Sequence, residues 1–533
     1  MDRKDIDNIT DAFMADGCDS SAFESLGDLL FDTNVNKAFL CYEMAAFYSQ
    51  KDVGPIELGE KIKRCGEKDE FCVRPVSVVI LSYNNMNLTV ECIESVRKNN
   101  PPRSYELVVV DNASSDGVVE WLKAQEDIVL TLNSENKGFA FGCNQGVESA
   151  SDGNDILFLN NDTLVCPNSI FWLRMGLYED AKVGAVGSVS NDVGNQQRVK
   201  EQYESTREWL DFGRRNNVFR EYPYEEKIYL VGFAMMVKRK VLDEVGLFDT
   251  LYGVGNFEDN DLGIRILDAG YRLLLCCNSF IFHYGRMGFK LEPTARYDDL
   301  MSKNYNLFKQ KWGFDGWSNS YPDEELIDLI DEEDRMKEIR VLEIGCGMGS
   351  NLTRIKTIYP KAVTFGMDDN ESVVKIAGKT RNIIKADYDN FDVSEMDGEF
   401  DYIIIGEVTS KIWDIKSVIE KLKPLLALDG SLLCSFSNIM HGSVLIPMLK
   451  GEFEYSDLGI IKKDVKRYYT LKNVFKLLIG CGFQIKRIEG IQGDKDIFES
   501  ESALWNYLKD GLGDDFEQQC LSERYIVKGT SRL

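Results

Sequence analysis

Residues 155–163 read Asp-Ile-Leu-Phe-Leu-Asn-Asn-Asp-Thr, an apolar run with a polar end. The apolar part, 156–159, has the length of a buried strand in a parallel sheet. Ligands of open α/β sheets bind at the carboxyl ends of the strands, and a hard divalent cation takes oxygen ligands. Asp162 is therefore a candidate to hold such a cation against substrate phosphates. A strand followed by a polar turn explains the same residues, because Asn and Asp are common in turns.

Three further apolar runs precede this segment, at 76–81, 107–110 and 128–132, and helical patterns separate them. Strands that alternate with helices predict βαβ units and a parallel sheet. The polar ends of the runs predict a nucleotide site. Tyr83 can stack on a base, Asp111 can accept a hydrogen bond from a pyrimidine N3–H, and the glycines near Gly138 let the backbone approach phosphates. Asp111 as a simple turn residue is the alternative.

The composition limits the classes of function. A chain of 533 residues predicts roughly two to four domains. A net charge of −26 makes it a poor partner for nucleic acid. The 13 cysteines lack paired metal spacing and predict free thiols in a reducing cytosol. No apolar run approaches the ~20 residues needed to span a bilayer, and the N-terminus lacks the apolar core of a signal peptide. We therefore expect a cytoplasmic protein, with peripheral membrane contact left open.

Six segments make residues 75–313 resemble family 2 glycosyltransferases with the GT-A fold, especially the branch that contains many bacterial rhamnosyltransferases. The segments are 78–84, 109–116, 136–140, 160–163, 246–249 and 258–262. The resemblance implies a site that contacts a nucleotide sugar through Ser82, Tyr83, Asp111, Lys137, Gly138 and Asn161. The chain departs from the family's Asp-x-Asp motif at its first position, which is Asn160. Asp162 then remains as the main metal carboxylate, and metal binding is expected to be weak or optional.

The same resemblance implies a catalytic constellation. Asp259 would be the base that deprotonates the acceptor, with Glu258 contacting acceptor or donor. Asp162 and His283 would hold Mn²⁺ or Mg²⁺. Four residues would play supporting parts, Asp261 and Arg265 around the acids and Arg286 and Lys290 beside the leaving diphosphate. The alternative interpretation is that the acids stabilise the N-terminus of a helix and that His283 is a structural residue.

Residues 338–530 resemble class I SAM-dependent methyltransferases, beginning with the strand and glycine turn at 340–350. The resemblance implies Glu343, Gly345 and Gly347 at the methionine end of SAM, Asp368 on the ribose and Asp387 near the adenine. After the fourth strand, the family commonly shows Asp-x-Leu-Glu-His, whereas residues 406–410 read Gly-Glu-Val-Thr-Ser. Methyl transfer therefore stays open, and a degenerate domain used for packing or acceptor docking is the alternative. We interpret His441 as structural.

These observations predict four regions: an N-terminal helical region (1–72), a GT-A glycosyltransferase domain (73–316), an acidic, solvated linker (317–337) and a methyltransferase-like Rossmann domain (338–533). The main hypothesis is an inverting glycosyltransferase that moves a sugar from a UDP- or dTDP-sugar to a hydroxyl of a glycan or protein acceptor, with metal assistance. One alternative is a bifunctional enzyme whose C-terminal domain methylates the sugar or acceptor with SAM. Another is a non-catalytic scaffold that binds a glycan or protein. The interval 191–229 has no clear periodicity, and acceptor recognition or a surface elaboration would explain it.

Overall fold

The computed structural model describes residues 3–49, 55–285, 294–393, 396, 398–456, 459–493, 498–499 and 502–531. The chain divides into two units, Met1–Tyr321 and Pro322–Leu533. Each unit contains its own mixed sheet, of nine strands in the first and seven in the second, among the described residues. Two sheets with interspersed helices confirm the predicted α/β class.

The sheet of the first unit brings the polar strand ends to one edge. Its strands are β1 (Val76–Ser82), β2 (Tyr105–Asp111), β3 (Ile128–Leu132), β4 (Asp155–Asn160), β5 (Thr163–Val165), β6 (Val183–Val189), β7 (Tyr224–Lys227), β8 (Ala234–Val237) and β9 (Arg272–His283). The order is β3-β2-β1-β4-β8-β6-β9-β5, with β7 paired to β9. β1 to β4 are parallel, with Ser82 opposite Asp111 and Leu81 opposite Asn160. The four predicted strands are therefore confirmed.

The helices of the first unit begin with a group of four at the N-terminus. They are α1 (Arg3–Ala15), α2 (Ser20–Leu30), α3 (Val35–Tyr48) and α4 (Pro55–Gly66). The later helices are α5 (Met86–Asn99), α6 (Val118–Lys123), α7 (Phe139–Ser149), α8 (Ser169–Leu177), α9 (Thr206–Asn216), α10 (Arg239–Val245), α11 (Glu258–Asp268) and α12 (Thr294–Trp312). α11 begins directly at the acidic pair.

The N-terminal helices pack on α8, a mostly apolar helix whose residues are all buried. The ring of Phe13 lies 4.8 Å from that of Phe23 and 5.9 Å from that of Trp172 in α8. Arg174 of α8 forms an ion pair with Glu43 of α3. The predicted N-terminal helices are therefore present, and they pack on α8 of the same unit.

The sheet of the second unit is parallel apart from one inserted strand. Its strands are β10 (Arg340–Ile344), β11 (Val363–Asp368), β12 (Ile383–Lys385), β13 (Phe400–Ile405), β14 (Leu426–Ser437), β15 (Phe483–Gln492) and β16 (Ser522–Ser531). The order is β12-β11-β10-β13-β14-β16-β15, and β16 runs antiparallel to both neighbours. The helices are α13 (Glu324–Ile327), α14 (Ser350–Ile358), α15 (Glu371–Ala377), α16 (Ile415–Leu422), α17 (Gly442–Leu449), α18 (Leu471–Gly480), α19 (Ser502–Leu512) and α20 (Asp514–Leu521).

The acidic segment 317–337 is not a solvated linker, which corrects the interpretation drawn from its charge. The division between the units falls after Tyr321. Leu326, Ile327, Leu329 and Ile330 are all buried in a core of the second unit. Their burial stabilises this segment against the sheet, while the acidic side chains between them face outward or form ion pairs.

Two further expectations concern the whole chain. All 13 cysteines are free thiols, and most are buried. In the part of the chain that the structure describes, no helix has the length and apolar character required to cross a bilayer. The cytoplasmic location stays a prediction.

Candidate functional site

Asp162 and His283 meet at the end of β4, although 121 positions separate them along the chain. Thr163 of β5 pairs with His283 of β9 in an antiparallel bridge, and this pairing sets the two side chains side by side. His283 Nε2 lies 3.1 Å from Asp162 Oδ1, and both side chains are buried. The predicted metal residues are therefore brought together.

The orientation of His283 leaves a lone pair directed at the carboxylate. Its Nδ1 lies 2.7 Å from the backbone carbonyl of Asp192, which can only accept, so Nδ1 carries the proton. In the neutral imidazole, Nε2 then faces Asp162 Oδ1 with no hydrogen between them. Two acceptors at this spacing repel each other unless a proton or a cation lies between them. Burial opposes protonation, but the hydrogen bond and charge of Asp162 outweigh it and raise the pKa of His283.

This pair fits a divalent cation that completes its shell with substrate. Two ligands on adjacent vertices of an octahedral Mg²⁺ site are about 3 Å apart, given bond lengths of roughly 2.0–2.1 Å. An imidazole whose other nitrogen donates to a carbonyl is the usual arrangement of a metal-binding histidine. Among the described residues, no group of three or more His, Cys, Asp or Glu side chains could hold a metal. Asp162 and His283 are the two side chains that this part of the structure offers to such a cation.

The acidic pair Glu258 and Asp259 opens α11. Asp259 accepts from the backbone N–H of Gly232 at 3.0 Å and from that of Asn260 at 2.8 Å. Glu258 is buried, and its Oε2 has no hydrogen-bond partner. Burial raises the pKa of both carboxyl groups, and the charge of Asp259 raises that of Glu258 further. Asp259, which is held by two backbone N–H groups, and Glu258, whose Oε2 has no hydrogen-bond partner, thus lie at the same helix end.

A short chain of contacts joins the metal pair to the acidic pair. The ring of Phe233 stacks on that of His283, with centroids 5.2 Å apart. The carbonyl of Phe233 accepts from the backbone N–H of Asn160, at the end of β4, at 2.8 Å. The preceding residue, Gly232, donates to Asp259. The predicted metal and base residues therefore lie around one loop.

Asp261, which follows the acidic pair in α11, is fixed in structural contacts. Asp261 is fully buried and pairs with Arg265 Nε at 2.8 Å. Lys311 and the indole N–H of Trp312 also contact its carboxylate, at 2.6 and 3.0 Å. This agrees with the predicted supporting role of Asp261 and Arg265. Arg286 and Lys290, predicted beside the leaving diphosphate, lie outside the described residues.

Asp111 lies at the opposite side of the same sheet edge and is held by the turn after β2. The backbone N–H of Ser114 donates to Oδ1 at 2.9 Å, and the Ser114 hydroxyl donates to Oδ2. Ser82, opposite Asp111 in β1, is buried and its Oγ has no hydrogen-bond partner. Tyr83, the next residue, is exposed. The three predicted nucleoside contacts are therefore neighbours.

Gly138 connects this nucleoside edge to the loop before α11. Its backbone has a φ of +86°, and a Cβ there would lie 2.9 Å from the carbonyl oxygen of Gly253. Its N–H donates to Asn136 Oδ1 at 3.0 Å, and its carbonyl accepts from Asn112 Nδ2 at 3.2 Å. Only glycine fits this close approach between Gly138 and the backbone of Gly253.

Lys137 and Asn161, two other predicted ligand contacts, have side chains that contact neighbouring residues of the protein. The exposed Lys137 has its ammonium 4.8 Å from the ring centroid of Phe141. Asn161 donates from Nδ2 to Thr89 Oγ1 of α5 at 2.9 Å, so its amide fixes the loop after β4. Neither contact tests a role in ligand binding.

Sequence reasoning missed the residues that orient His283. Asn191 accepts from the backbone N–H of His283 at 2.8 Å and donates to its carbonyl at 2.9 Å. Asp192 supplies the carbonyl that holds Nδ1. Both begin the interval 191–229, whose lack of periodicity gave no signal for them. Further along, Trp209 is buried and stacks on Phe280 at 5.8 Å, so this part of the interval forms core.

The second unit places a glycine turn and two acids, Glu343 and Asp368, at the ends of β10 and β11. Glu343 is buried, accepts from Asn351 Nδ2 at 2.6 Å on Oε1, and has no partner on Oε2. Burial raises the pKa of Glu343 to about 8. Asp368 accepts from the N–H of Gly347 and of Asn370, each at 2.9 Å. These contacts fix the glycine turn after β10 against the end of β11.

The departures in the second unit have structural counterparts. A Cβ on Gly345 would lie 2.6 Å from Cβ of Val408, which belongs to the short 3₁₀ helix Glu407–Ser410. Asp387 is exposed and accepts from the N–H of Asp389 and Asn390 in a turn. His441 is buried and caps α17, which agrees with a structural role.

Comparison with known families identifies two domains in the chain. Residues 77–246 match the model of glycosyl transferase family 2, and residues 318–474 match the model of a methyltransferase domain. The chain joins a family 2 glycosyltransferase domain to a methyltransferase-like domain. The recognised pair of domains and the GT-A and class I Rossmann folds are thus confirmed, with the methyltransferase match beginning before the predicted boundary at 338.

Relatives of the family 2 glycosyltransferase domain are distant. The uncharacterized glycosyltransferase YfnE of Bacillus subtilis (strain 168) is 24% identical over 240 residues, which are 36% of this chain and 60% of YfnE. Glycosyltransferase AglE of Haloferax volcanii is 26% identical over 255 residues, 45% of this chain and 75% of AglE. The solved mannosyltransferase PcManGT from Pyrobaculum calidifontis, in complex with GDP-Man and Mn²⁺, is 21% identical with a TM-score of 0.30, covering 46% of this chain and 68% of PcManGT. The chain thus spans less than two thirds of YfnE.

Proposed function

We propose that the first unit transfers a sugar from a UDP- or dTDP-sugar to a hydroxyl group of a glycan or protein acceptor, with inversion at the anomeric carbon. The observation that carries the proposal is the paired site around the 232–233 loop. Asp162 and His283 face each other across a gap suited to a cation, and Asp259 lies at the other side of the loop. The Asp162–His283 pair and Asp259 lie at the edge of the sheet where α/β folds bind nucleotides.

In the proposed reaction, Asp259 takes the proton of the acceptor hydroxyl while the acceptor oxygen attacks the anomeric carbon. The bond to the diphosphate breaks from the opposite face, which inverts the configuration. Burial raises the pKa of Asp259, so it binds a proton more readily than an exposed aspartate and is a stronger base. The N–H groups of Gly232 and Asn260 hold the carboxylate in one orientation.

The donor would lie along the edge between Asp111 and Asp162. Asp111 and Ser82 would contact the pyrimidine nucleoside. Asp162 and His283 would hold Mn²⁺ or Mg²⁺, which when bound neutralises charge on the leaving diphosphate. The nitrogen and oxygen atoms that face each other are 3.1 Å apart, which is the spacing of two adjacent ligands of an octahedral cation.

The test is donor turnover by the full chain. A panel of UDP- and dTDP-sugars is incubated with and without Mn²⁺, and release of the nucleoside diphosphate is measured. We expect Mn²⁺-dependent turnover of at least one donor, and a loss of about 10²–10⁴-fold in Asp259→Asn. Asp243→Asn on α10, an exposed acid outside the site, is the matched control. Full activity in a folded Asp259→Asn would refute the base assignment, and no turnover of any donor by the wild type would refute the glycosyltransferase function.

We propose, as a second function, that the second unit binds SAM and methylates the sugar or the acceptor. The unpartnered Oε2 of Glu343 favours a cationic ligand, because the ammonium group of SAM would compensate a buried carboxylate. Calorimetry with SAM should detect binding that Glu343→Gln weakens. Transfer from labelled SAM to the glycosylated product then distinguishes methylation from binding alone. A chain that binds no SAM would have a degenerate second unit.

A further inference from the structure

Three aromatic side chains border the acidic pair at the start of α11. The ring of Trp317 lies 5.1 Å from that of Tyr305 at an interplanar angle of 37°, and 5.7 Å from that of Phe257. Phe257 directly precedes Glu258 in the chain. Trp317 is 39% exposed and Tyr321 is 41% exposed. Tyr305, Trp317 and Tyr321 together are called the aromatic platform below.

A second line of contacts links the platform to the proposed base. The hydroxyl of Tyr321 lies 3.3 Å from that of Tyr229. Burial and the charges of Tyr321 and Asp259 raise the pKa of Tyr229, so Tyr229 lies close to the proposed base. The platform is therefore one side chain away from the acid that would deprotonate the acceptor.

Helix α12 fixes both the platform and the loop before α11. Asn304 donates from Nδ2 to three backbone carbonyls of this loop, at 2.9–3.0 Å, those of Tyr252, Gly255 and Asn256. The turn that carries Trp317 packs tightly on the same helix, because a Cβ on Gly316 would lie 2.8 Å from the ring of Phe308. A binding surface held in this way loses little conformational entropy when a ligand binds.

We infer that the aromatic platform binds a pyranose ring of the acceptor. A pyranose presents a flat patch of C–H groups, and covering a half-exposed indole with it removes apolar surface from water on both sides. The hydroxyl group of the exposed Tyr321 would offer the sugar hydroxyls a hydrogen-bond partner at the edge of the platform. An alkyl chain would cover that hydroxyl without offering it a hydrogen bond, so the surface favours a sugar over a lipid.

This inference rests on the proposed function only for the word acceptor, since sugar binding by the platform is measurable alone. The experiment is saturation-transfer NMR on the full chain with methyl glycosides of glucose, galactose, mannose, rhamnose and N-acetylglucosamine. We expect transfer from the protein to the ring C–H protons of at least one glycoside. Trp317→Ala should weaken that binding at least ten-fold, and Trp317→Phe should retain most of it.

The matched control is Trp413→Ala, which removes a 61% exposed tryptophan from the second unit. It should leave the signal unchanged. The inference is overturned if no glycoside receives saturation, or if Trp317→Ala, folded by circular dichroism, binds as well as the wild type. Donor turnover is measured separately on the same preparation. Turnover without glycoside binding would therefore refute the platform, and glycoside binding without turnover would refute the transferase.

Discussion

Two buried glutamates, Glu258 in the first unit and Glu343 in the second, both have a raised pKa, but their neighbours differ. Each is almost fully buried and has an Oε2 without a hydrogen-bond partner. Burial is the larger cause of the raised pKa in both. Glu258 also lies beside the negative charge of Asp259, whereas Glu343 accepts a hydrogen bond from Asn351, which lowers its pKa.

The difference separates two kinds of site. A carboxyl group whose pKa is raised by a second acid tends to share a proton with it, which suits a place where protons move. The pKa of Glu343 is raised by burial and by the charges of Asp323 and Asp368, while one of its oxygens accepts from Asn351 and the other has no partner. A cation that entered there would stabilise its charged form. Glu258 therefore has an adjacent acid with which it can share a proton, whereas Glu343 has a hydrogen bond on one oxygen and an unpartnered second oxygen.

The largest expected effect tests the proposed cation site of the first unit. Asp162→Asn or His283→Gln should reduce Mn²⁺-dependent donor turnover about 10³-fold, because a metal supplies several kcal/mol to charge stabilisation. Manganese binding, followed by electron paramagnetic resonance in the presence of UDP, should weaken in parallel. Asp192→Asn is the control, since Asp192 contacts His283 only through its backbone carbonyl among the hydrogen bonds described. If Asp162→Asn and His283→Gln both bound manganese as well as the wild type, the proposed metal site of the first unit would be refuted.

The pH dependence of stability should expose Glu343. Its pKa rises from 4.5 to about 8 on folding, so the folded state keeps a proton that the unfolded chain releases between those values. Stability therefore falls as the pH rises from about 5 to 8, by up to about 4 kcal/mol from this group. Glu343→Gln should flatten the profile, as measured by the thermal transition of the second unit. A ligand cation should flatten it as well.

Glu258 serves as the comparison in that experiment. Glu258→Gln should also flatten a fall in stability with rising pH, in the first unit. Asp259→Asn should do part of the same, because it removes the neighbouring charge that raises the pKa of Glu258. An Asp259→Asn profile identical to the wild type would mean that the two acids do not interact.

Two glycines at corresponding turns should differ in their tolerance of alanine. Gly345 has a φ of +73°, and a Cβ there would lie 2.6 Å from Cβ of the buried Val408. Gly285 has a φ of +76°, but its Cβ would meet the exposed carboxylate of Asp192, which can rotate away. Gly345→Ala should cost about 3 kcal/mol, from left-handed backbone plus overpacking, and Gly285→Ala about 1 kcal/mol from the backbone alone. Chemical denaturation measures both, and equal costs would show that the Val408 contact yields easily.

The sequence predicted the sheets well because their strands are apolar runs closed by polar clusters. The run 156–159 and its three predecessors became β4, β1, β2 and β3. The residues at the ends of these strands could be located because parallel strands bring their carboxyl ends to one edge. The pairing of Asp162 with His283 depended on family resemblance, since no local pattern relates positions 121 apart.

Charge misled the interpretation of the segment 317–337. Its many acids suggested a solvated linker, yet Leu326, Leu329 and Ile330 follow the spacing of one helical face and are buried. That periodicity was a usable signal. The positions of Asn191 and Asp192 around His283 offered none, because hydrogen bonds between a loop and a distant strand leave no trace in local composition.

The smallest expected effect tests whether this acidic segment is part of the second unit. Asp323 forms an ion pair with Arg524 of β16, and both side chains are only 18% exposed. Asp323 also caps α13 by accepting from the N–H of Leu326, and Asn caps as well as Asp. Asp323→Asn therefore isolates the ion pair and should cost about 1 kcal/mol, a cost that shrinks at high salt. Glu325→Gln, whose partner distance to Arg524 is 3.3 Å but whose side chain is 54% exposed, should cost almost nothing. Equal effects of the two variants would mean that the pair near α13 is no better shielded from solvent than a surface contact.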